Sequence, residues 1–338
     1  MPLFLELVRA AAERDPELGR AALAGLLAYE QAPRDVARLE RPVVHRIAGA
    51  RLRDCGGSGP PAVLIPSLIN PPKVLDLDRD SSLADAIAGM GRHVFLVDWG
   101  RARDRSTLSV SDHVSELLVP LLRMVGEPPA LIGYCLGGTM ALAAANLTPA
   151  ERVVTLAAPW HFAAYPGDGR SSLARLWDHS RDAARSLGAL PMEVLQSAFW
   201  SLDPDRTVEK FARFAQFDQE SAAARRFIAL EDWANEGEAL PVPAAREMLE
   251  DFFGADRPGL GQWTIGGKRI TDDLPEPVLH VTASGDRITP AATAPAGAGD
   301  VVPLNSGHVG MIVGSARADL HRALGPFLDP LAGSGRHR

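Results

Sequence analysis

A cysteine between spaced glycines is the residue whose setting most strongly indicates chemistry. Cys135 lies in the sequence Gly-Tyr-Cys-Leu-Gly-Gly at positions 133–138, directly after an apolar run and directly before a helical pattern. Strand, nucleophile and helix follow one another in this order in the Gly-x-Ser-x-Gly elbow, here with cysteine in place of serine. So sharp a turn leaves little room for Cβ atoms, which explains Gly133, Gly137 and Gly138. The pattern predicts a nucleophilic cysteine, and a buried structural cysteine in a tight strand–helix crossing is the alternative.

The helix predicted after Cys135 bears on the reactivity of this residue. Its amino end would point at the side chain, and the positive end of a helix dipole favours thiolate over thiol. The backbone amide of Leu136 would be free to bind an oxyanion. The sequence therefore predicts nucleophilic catalysis by a thiolate.

Two later turns supply an acid and a base for such a thiolate. Asp286 follows a predicted strand at 278–281, and His308 follows another at 301–304. Nucleophile, acid and histidine occur in this chain order in elbow enzymes. Because open α/β sheets gather their active sites at the carboxyl ends of the strands, the three side chains are expected to lie together. A single histidine or aspartate in a loop is more often structural than catalytic. The prediction therefore depends on all three turns together.

Other chemistries find little support in the motifs. The sequence has no His-Glu-x-x-His and no paired Cys-x-x-Cys, so no metal site is predicted. Positions 262–269 resemble a phosphate loop, but Gln262 and Arg269 replace its first glycine and its magnesium-binding Ser or Thr. No dinucleotide fingerprint follows the first strands, and no cofactor is expected. Cys55, which precedes Gly-Gly-Ser-Gly, is predicted to be an ordinary turn residue.

Composition excludes several classes of protein and partner. Of 338 residues, 46% are hydrophobic and 23% charged, as in globular proteins with a sizeable core. A net charge of -7 without a block of Lys or Arg argues against nucleic acid or an anionic membrane as partner. The two cysteines lie in different settings, which favours a reducing, cytoplasmic location over a structural disulfide.

Targeting and membrane signals are not recognised. Glu6 interrupts the short apolar stretch at the amino terminus, which also lacks the basic start of a signal peptide. The longest apolar run, at 131–147, is broken by glycines and is shorter than the roughly 20 residues that span a bilayer. Neither a signal peptide nor a transmembrane helix is predicted.

Strands and helices alternate over much of the chain. Apolar or β-branched runs predict strands at 43–44, 62–65, 94–97, 130–132, 153–156, 278–281 and 301–304. Helical spacing lies between several of them, at 81–91, 111–124 and 136–146. Such alternation predicts an α/β fold whose mainly parallel central sheet is flanked by helices.

The alternation stops after the strand at 153–157. Helical spacing dominates from 159 to 267, which predicts a mostly helical lid inserted into the sheet domain. The segment from Trp160 to Trp263 holds 14 of the 20 aromatic residues, which form either the core of the lid or an apolar binding surface. The predicted domains are an N-terminal helical segment at 1–40, a sheet core at 41–158 and 268–330, the lid, and a flexible tail at 331–338.

The chain resembles the polyhydroxyalkanoate synthases, the poly-3-hydroxybutyrate synthases among them, in the short form without a long amino-terminal domain. The elbow alone would indicate only the α/β-hydrolase superfamily. The motifs that carry the narrower resemblance are Pro-Ser-Leu-Ile-Asn at 66–70, Leu-Asp-Leu at 75–77, Ser-Leu at 82–83, Val-Asp-Trp-Gly at 97–100, the elbow with Thr139, Gly-Asp at 285–286 and Ser-Gly-His at 306–308.

The resemblance implies an α/β-hydrolase fold and a polymer-forming acyltransferase. It implies that Cys135 takes an (R)-3-hydroxyacyl group from coenzyme A, that His308 is the base, and that Asp286 assists it or helps to activate the substrate hydroxyl. A thiol suits this role because exchange of one thioester for another keeps the acyl group activated. Coenzyme A thioester is thus a substrate rather than a cofactor.

The same resemblance implies an oxyanion hole and a set of partners. Its two amides are that of Leu136 and one from the turn Leu68 to Asn70, for which Ile69 and Asn70 are the candidates. The implied partners are a second synthase subunit, a second copy of the chain and the surface of a polyester granule.

Three positions depart from the family pattern. The resemblance implies an aromatic residue near Lys73, an aspartate near His161 and often a histidine at Arg287. These departures keep two alternatives open: a thioesterase or esterase that acts on hydroxyacyl substrates, and a granule-associated binding protein without catalysis.

Overall fold

The computed structural model describes residues 2–34, 40–201 and 204–329. Contacts within the chain divide it into two compact units. One unit comprises the described parts of Met1–Leu39 and Glu193–Gly237, and the other comprises Glu40–Met192 and the described part of Glu238–Arg338. The predicted tail at 331–338 lies outside the described residues. No helix in the described part of the chain is long and apolar enough to cross a membrane.

The larger unit is built on an eight-stranded sheet. The strands among the described residues are β1 (Val43–Ile47), β2 (Ala50–Gly57), β3 (Pro61–Ile65), β4 (His93–Asp98), β5 (Ala130–Tyr134), β6 (Arg152–Leu156), β7 (Ala189–Leu190), β8 (Leu240–Pro241), β9 (Thr264–Ile265), β10 (Lys268–Arg269), β11 (Val278–Ala283) and β12 (Asp300–Leu304). The sheet order is β1-β2-β4-β3-β5-β6-β11-β12. Within this eight-stranded sheet only the pairs β1–β2 and β2–β4 are antiparallel. The predicted mainly parallel sheet is therefore confirmed.

Helices connect and cover the strands. The α-helices are α1 (Pro2–Arg14), α2 (Pro16–Gln31), α3 (Leu83–Gly89), α4 (Val110–Asp112), α5 (Val119–Arg123), α6 (Leu136–Leu147), α7 (Gly167–Leu187), α8 (Met192–Ser201), α9 (Pro204–Phe214), α10 (Ala222–Asn235), α11 (Val242–Arg246), α12 (Gly310–Val313) and α13 (Arg317–Leu328). π-Helical turns occupy His113–Leu118 and Glu247–Gly254, and short 3-10 helices occupy Pro72–Leu75, Ala102–Arg105, Phe162–Ala164 and Ala291–Thr293.

The central strands and α6 form the core of this unit. Every residue of β3, β5 and β11 is buried, because helices cover both faces of a parallel sheet. All but the last two residues of α6 are buried as well, and glycine and alanine make up half of the helix. Small side chains let α6 lie close to the sheet. Its amino end follows β5 after a single residue, Cys135.

The smaller unit is helical and has its own core. Asp15 separates α1 from α2 and caps α2 by accepting hydrogen bonds from the amides of Glu17 and Leu18. The core of this unit consists of Phe4, Val8, Ala11, Ala22, Leu26, Tyr29, Val208, Phe211, Ala212, Phe214, Ala224 and Ile228. Trp200 and Phe227 pack against it. Many of the aromatic residues of the predicted lid therefore belong to this separate core.

Most secondary-structure predictions are confirmed, and two are wrong. All seven predicted strands fall within observed ones, but β2 was missed. Cys55 lies in β2 and is buried, so its prediction as a turn residue is wrong. Residues 50–53 alternate apolar and charged side chains, which is a strand pattern, and their pairing with β4 extends the strand through Cys55 to Gly57. The segment 159–267 also contains the short strands β7, β8 and β9, where no strand was expected; β7 pairs with β8, and β9 pairs with β10 just beyond the segment.

Candidate active site

Cys135 occupies a strained turn between β5 and α6. Its backbone has φ 55° and ψ -131°, in the left-handed half of conformational space that residues other than glycine rarely adopt. Such a conformation costs about 1–3 kcal/mol and persists only where the surrounding structure enforces it. Cys135 is partly exposed, whereas Tyr134 and Leu136 on either side of it are buried. The turn therefore presents the thiol at the carboxyl edge of the sheet.

The three elbow glycines lie against backbone or a packed methyl group. A Cβ atom on Gly133 would lie 2.3 Å from the carbonyl oxygen of Gly137. One on Gly137 would lie 2.1 Å from the carbonyl oxygen of Ile65, and one on Gly138 would lie 2.4 Å from the Cβ of Ala158. The helix that follows Cys135 thus approaches β3 and the end of β6 as closely as only glycine allows.

Gly137→Ala is expected to lower the free energy of unfolding by about 1–3 kcal/mol, because its Cβ would overlap the carbonyl of Ile65 and force the backbone apart. Urea denaturation followed by circular dichroism measures the change. Gly325→Ala in α13 is the matched control, because a Cβ there meets nothing within 4 Å. Equal stability of the two variants would contradict the steric role of Gly137.

Asp286 and His308 form a buried hydrogen-bonded pair. Asp286 lies three residues after β11 and His308 four residues after β12, so both follow neighbouring parallel strands. The Nδ1 atom of His308 lies 2.6 Å from Oδ2 of Asp286, and the side chain of Asp286 is fully buried. Donation of the Nδ1 proton to this carboxylate fixes the plane of the ring and leaves Nε2 to face other groups.

The carboxylate of Asp286 is itself held on both oxygens. Oδ1 accepts hydrogen bonds from the amides of Ile288 and Thr289, each at 2.8 Å. Oδ2 accepts a hydrogen bond from the hydroxyl of Thr289 at 2.7 Å as well as the one from His308. Thr289 was missed by the sequence analysis, although the Asp-x-x-Thr spacing is typical of such a local turn. These four bonds leave Asp286 one orientation.

Cys135 acts on the ionisation of His308. Burial lowers the pKa of this histidine, but attraction to Cys135, hydrogen bonds with Asp286 and Cys135, and attraction to Asp286 outweigh burial and raise it to about 10. Since Nδ1 is bound to Asp286, Nε2 is the nitrogen available to the thiol. The structure thus pairs His308 with Asp286 and places both at the edge of the sheet where the charge of Cys135 acts on His308.

Cys135→Ala is expected to lower the pKa of His308, since attraction to Cys135 is the largest influence that raises it. A pH titration of the imidazole signals by NMR measures this, with Cys55→Ala, the other free cysteine, as control. The raised pKa stabilises the fold below the unfolded value of about 6.5, and this stabilisation is lost as pH rises towards about 10. In Cys135→Ala this stabilisation should be smaller, and its loss should be complete at lower pH. An unchanged titration would contradict the coupling.

Two tyrosines that the sequence analysis did not single out also belong to this site. The ring of Tyr134 lies 5.0 Å from the ring of His308, and its hydroxyl donates to the carbonyl of His308 at 3.3 Å. The pKa of Tyr165 is raised well above its usual range by burial and then by the charges of Cys135 and Asp286. Tyr134 adjoins the nucleophile in sequence, whereas no local signal distinguishes Tyr165.

An aromatic cluster surrounds Tyr165. Its ring lies 4.9 Å from that of Phe253 and 6.0 Å from that of Phe162. The same network continues through Phe252 and Trp263 to Trp160. These six residues all lie in the larger unit, and Tyr165 links their cluster to the surroundings of Cys135.

The backbone amides considered for an oxyanion hole lie at two places. Leu136 is the first residue of α6, and the first amides of a helix have no partner within it. Ile69 and Asn70 lie in the turn after β3, the strand whose end contacts Gly137. The Ile69 amide donates weakly to Oγ of Ser67, at 3.4 Å. Both groups therefore come from the same edge of the sheet as Cys135.

The three departing positions lie in the larger unit. Lys73 is in a 3-10 helix after the Ile69–Asn70 turn, and Arg287 follows Asp286 directly. Nε2 of His161 lies 3.9 Å from Oδ2 of Asp272. Among the described residues, no group of three or more His, Cys, Asp or Glu side chains could hold a metal ion.

Comparison with known proteins places the chain near one group of polymerases. The poly(3-hydroxyalkanoate) polymerase subunit PhaC of Haloferax mediterranei is 26% identical over 274 residues, which are 75% of this chain and 55% of that protein. The subunit PhaC of Thiocystis violacea is 26% identical over 290 residues, 80% of each chain. The chain therefore spans little more than half the length of the haloarchaeal relative. No family model matches it.

Among solved structures, a bromoperoxidase from Bacillus anthracis matches with a TM-score of 0.52 and 17% identity over 82% of this chain and 95% of that one. Identity this low supports a shared fold and no more. In sequence the chain is similar to the poly(3-hydroxyalkanoate) polymerase subunits, and its fold is the α/β-hydrolase fold.

Proposed function

We propose that the chain is a polyhydroxyalkanoate synthase-like acyltransferase that moves (R)-3-hydroxyacyl groups from coenzyme A to a hydroxyl through Cys135. The observation that carries the proposal is the strained Cys135 turn, whose thiol raises the pKa of a histidine held by a buried carboxylate. A base poised beside a nucleophile and oriented by a third group is the arrangement that covalent catalysis requires. The similarity to PhaC subunits supports this substrate class.

The first step is acylation. The thiolate of Cys135 attacks the thioester carbonyl, and the Leu136 amide with one from the Ile69–Asn70 turn stabilises the oxyanion. Collapse of this intermediate breaks the bond to coenzyme A, whose sulfur takes the proton from His308. Because one thioester replaces another, the acyl group remains activated for the next attack.

The second step is transfer. A hydroxyl group of a second hydroxyacyl unit gives its proton to His308 and attacks the thioester on Cys135. The new ester forms as the thiolate leaves, which restores the thiolate–imidazolium pair. Water competes with the hydroxyl, and the apolar rings of Phe162, Tyr165 and Phe253 would help to exclude it.

The altered positions favour hydrolysis as the second candidate. Lys73, His161 and Arg287 differ from what the synthase resemblance implies, and a changed path for the incoming hydroxyl would favour water as the acceptor. With the same three side chains, water in place of the hydroxyl would make the protein a thioesterase or esterase. The two functions share acylation and differ only in the acceptor.

One assay separates the candidates. The protein is incubated with 3-hydroxybutyryl coenzyme A, with and without a PhaC partner subunit, and released thiol, free hydroxy acid and polymer are measured together. Thiol with polymer supports the synthase, whereas thiol with free acid alone supports the hydrolase. The absence of thiol release under both conditions, with no acyl adduct in the intact mass, would leave only the non-catalytic granule protein.

A further inference from the structure

A buried arginine lies behind the turn that carries the Ile69 and Asn70 amides. Arg105 ends a short 3-10 helix after β4 and is only 3% exposed. Its Nη2 donates to the carbonyl of Leu68 at 3.1 Å, and its Nη1 lies 3.1 Å from Nε2 of His113. Among the described residues it forms no ion pair at hydrogen-bond distance, and its Nε has no partner. Burying a guanidinium in this way is costly, and one of its two hydrogen bonds is to the turn.

His113 is arranged to accept a hydrogen bond from Arg105. It is fully buried, and its Nδ1 donates to the carbonyl of Ser109 at 2.6 Å. Burial, and then the charge of Arg105, lowers the pKa of His113 to about 4, so the ring is neutral at pH 7. In this tautomer Nε2 carries no proton and accepts from the guanidinium. His113 therefore fixes one end of the Arg105 fork while the other end holds Leu68.

Two further donors hold the same turn. The indole Nε1 of Trp99 donates to the carbonyl of Pro66 at 3.1 Å, and the amide of Glu238 donates to the carbonyl of Ile69 at 2.9 Å. Glu238 also accepts from the amide of Ala102 at 2.9 Å and attracts Arg105. The carbonyls of three of the four residues 66–69 thus accept hydrogen bonds from outside the turn.

These carbonyl bonds determine where the amides of the turn point. A peptide group is planar and trans, so its N–H points opposite to its C=O. The bond from Arg105 to the Leu68 carbonyl therefore sets the direction of the Ile69 N–H, and the bond from Glu238 sets that of the Asn70 N–H. Donors of an oxyanion hole are effective only when they are oriented before the reaction.

We propose that Arg105 is a positioning residue that orients the amides of Ile69 and Asn70 for the oxyanion, with His113 and Glu238 holding the arginine and the turn in place. This inference rests on the proposed acyl transfer at Cys135. Arg105 touches no reacting atom in it. Its effect is to keep the peptide planes of the turn in the orientation that stabilises the tetrahedral intermediate.

Arg105→Met tests the proposal. It keeps much of the length of the side chain and removes the donors to Leu68 and His113. We expect kcat for acylation to fall about 10²-fold, as when an oxyanion donor is lost, while KM changes less than about 3-fold. The first turnover of coenzyme A release measures this kcat. Arg105→Lys keeps one donor and is expected to recover part of the lost rate.

Arg92→Met is the matched control. Arg92 is a fully buried arginine of the same unit that binds Glu151 and the carbonyl of Leu328, away from the turn. Its loss should lower the melting temperature without changing kcat of the folded enzyme. If Arg105→Met and Arg105→Lys, corrected for their folded fractions, keep the wild-type kcat, Arg105 is only structural and the proposal is overturned.

A second measurement does not depend on catalysis. Hydrogen exchange of the peptide that spans residues 66–72 should be faster in Arg105→Met than in Arg92→Met, when both are measured under conditions of equal global stability. If wild-type protein forms no acyl adduct, the proposed function fails, and this exchange comparison alone decides whether Arg105 orders the turn. Equal exchange in the two variants would overturn the positioning role even if acylation is observed.

Discussion

Cys135→Ala is expected to abolish the acyl adduct and to reduce coenzyme A release from 3-hydroxybutyryl coenzyme A by about 10³-fold or more. Loss of the nucleophile removes the covalent route altogether, and what remains is catalysis by binding and by the oxyanion amides. Of the two cysteines, Cys135 is partly exposed and Cys55 is buried. Burial also raises the pKa of the Cys55 thiol to about 12. Intact-mass spectrometry after exposure to substrate measures the adduct directly.

Two further variants make this result specific. Cys55→Ala should retain both the adduct and turnover, because Cys55 lies in β2 and belongs to no part of the site. Cys135→Ser should form at most an oxygen ester, which is less activated towards a hydroxyl, so any adduct should accumulate instead of turning over. An adduct that persists in Cys135→Ala would place the acyl group on another residue and remove the basis of the proposed function.

Local signals in the sequence were sufficient for most of the sheet and for the turn at Cys135. Apolar runs located seven of the eight strands of the sheet, all but β2, and the glycines around Cys135 reflect contacts that leave no space for a Cβ atom. The strands that carry Asp286 and His308 were equally clear, and in a parallel sheet their ends must meet. Order along the chain was therefore enough to bring distant residues together.

What the sequence could not reveal depends on contacts between distant segments. Arg105 lies 37 positions from Leu68, and nothing in its neighbourhood marks it as a buried residue. Likewise, α2 and α9 form one core although six of the eight strands of the sheet lie between them in the chain. A Cβ on Gly25 would lie 1.9 Å from the carbonyl of Phe211, a proximity that no periodicity predicts. Such pairings are decided by packing in three dimensions.

Asp286→Asn is expected to lower the rate of acyl transfer by about 10³–10⁴-fold while leaving the site folded, because it reverses the hydrogen bond that orients His308. The amides of Ile288 and Thr289 both donate to Oδ1, so in the variant the amide oxygen must take that position. The NH₂ group is then forced to face Nδ1 of His308, where the carboxylate accepted a proton at 2.6 Å. The imidazole must move its proton to Nε2, and it can no longer take one from the thiol or the hydroxyl.

Asp54→Asn is the matched control for this variant. The carboxylate of Asp54 also binds a histidine, His93, at 3.0 Å and accepts a backbone amide, but it lies in β2 outside the site. Its substitution should leave kcat unchanged.

Nitrogen chemical shifts of His308 should show the proton on Nε2 only in Asp286→Asn, together with a lower pKa of the ring. Transfer should lose more than acylation, because the alcohol needs a base to take its proton, whereas the coenzyme A thiolate is a good leaving group. A variant that retains a tenth or more of the wild-type transfer rate would show that Asp286 does not orient His308 during catalysis.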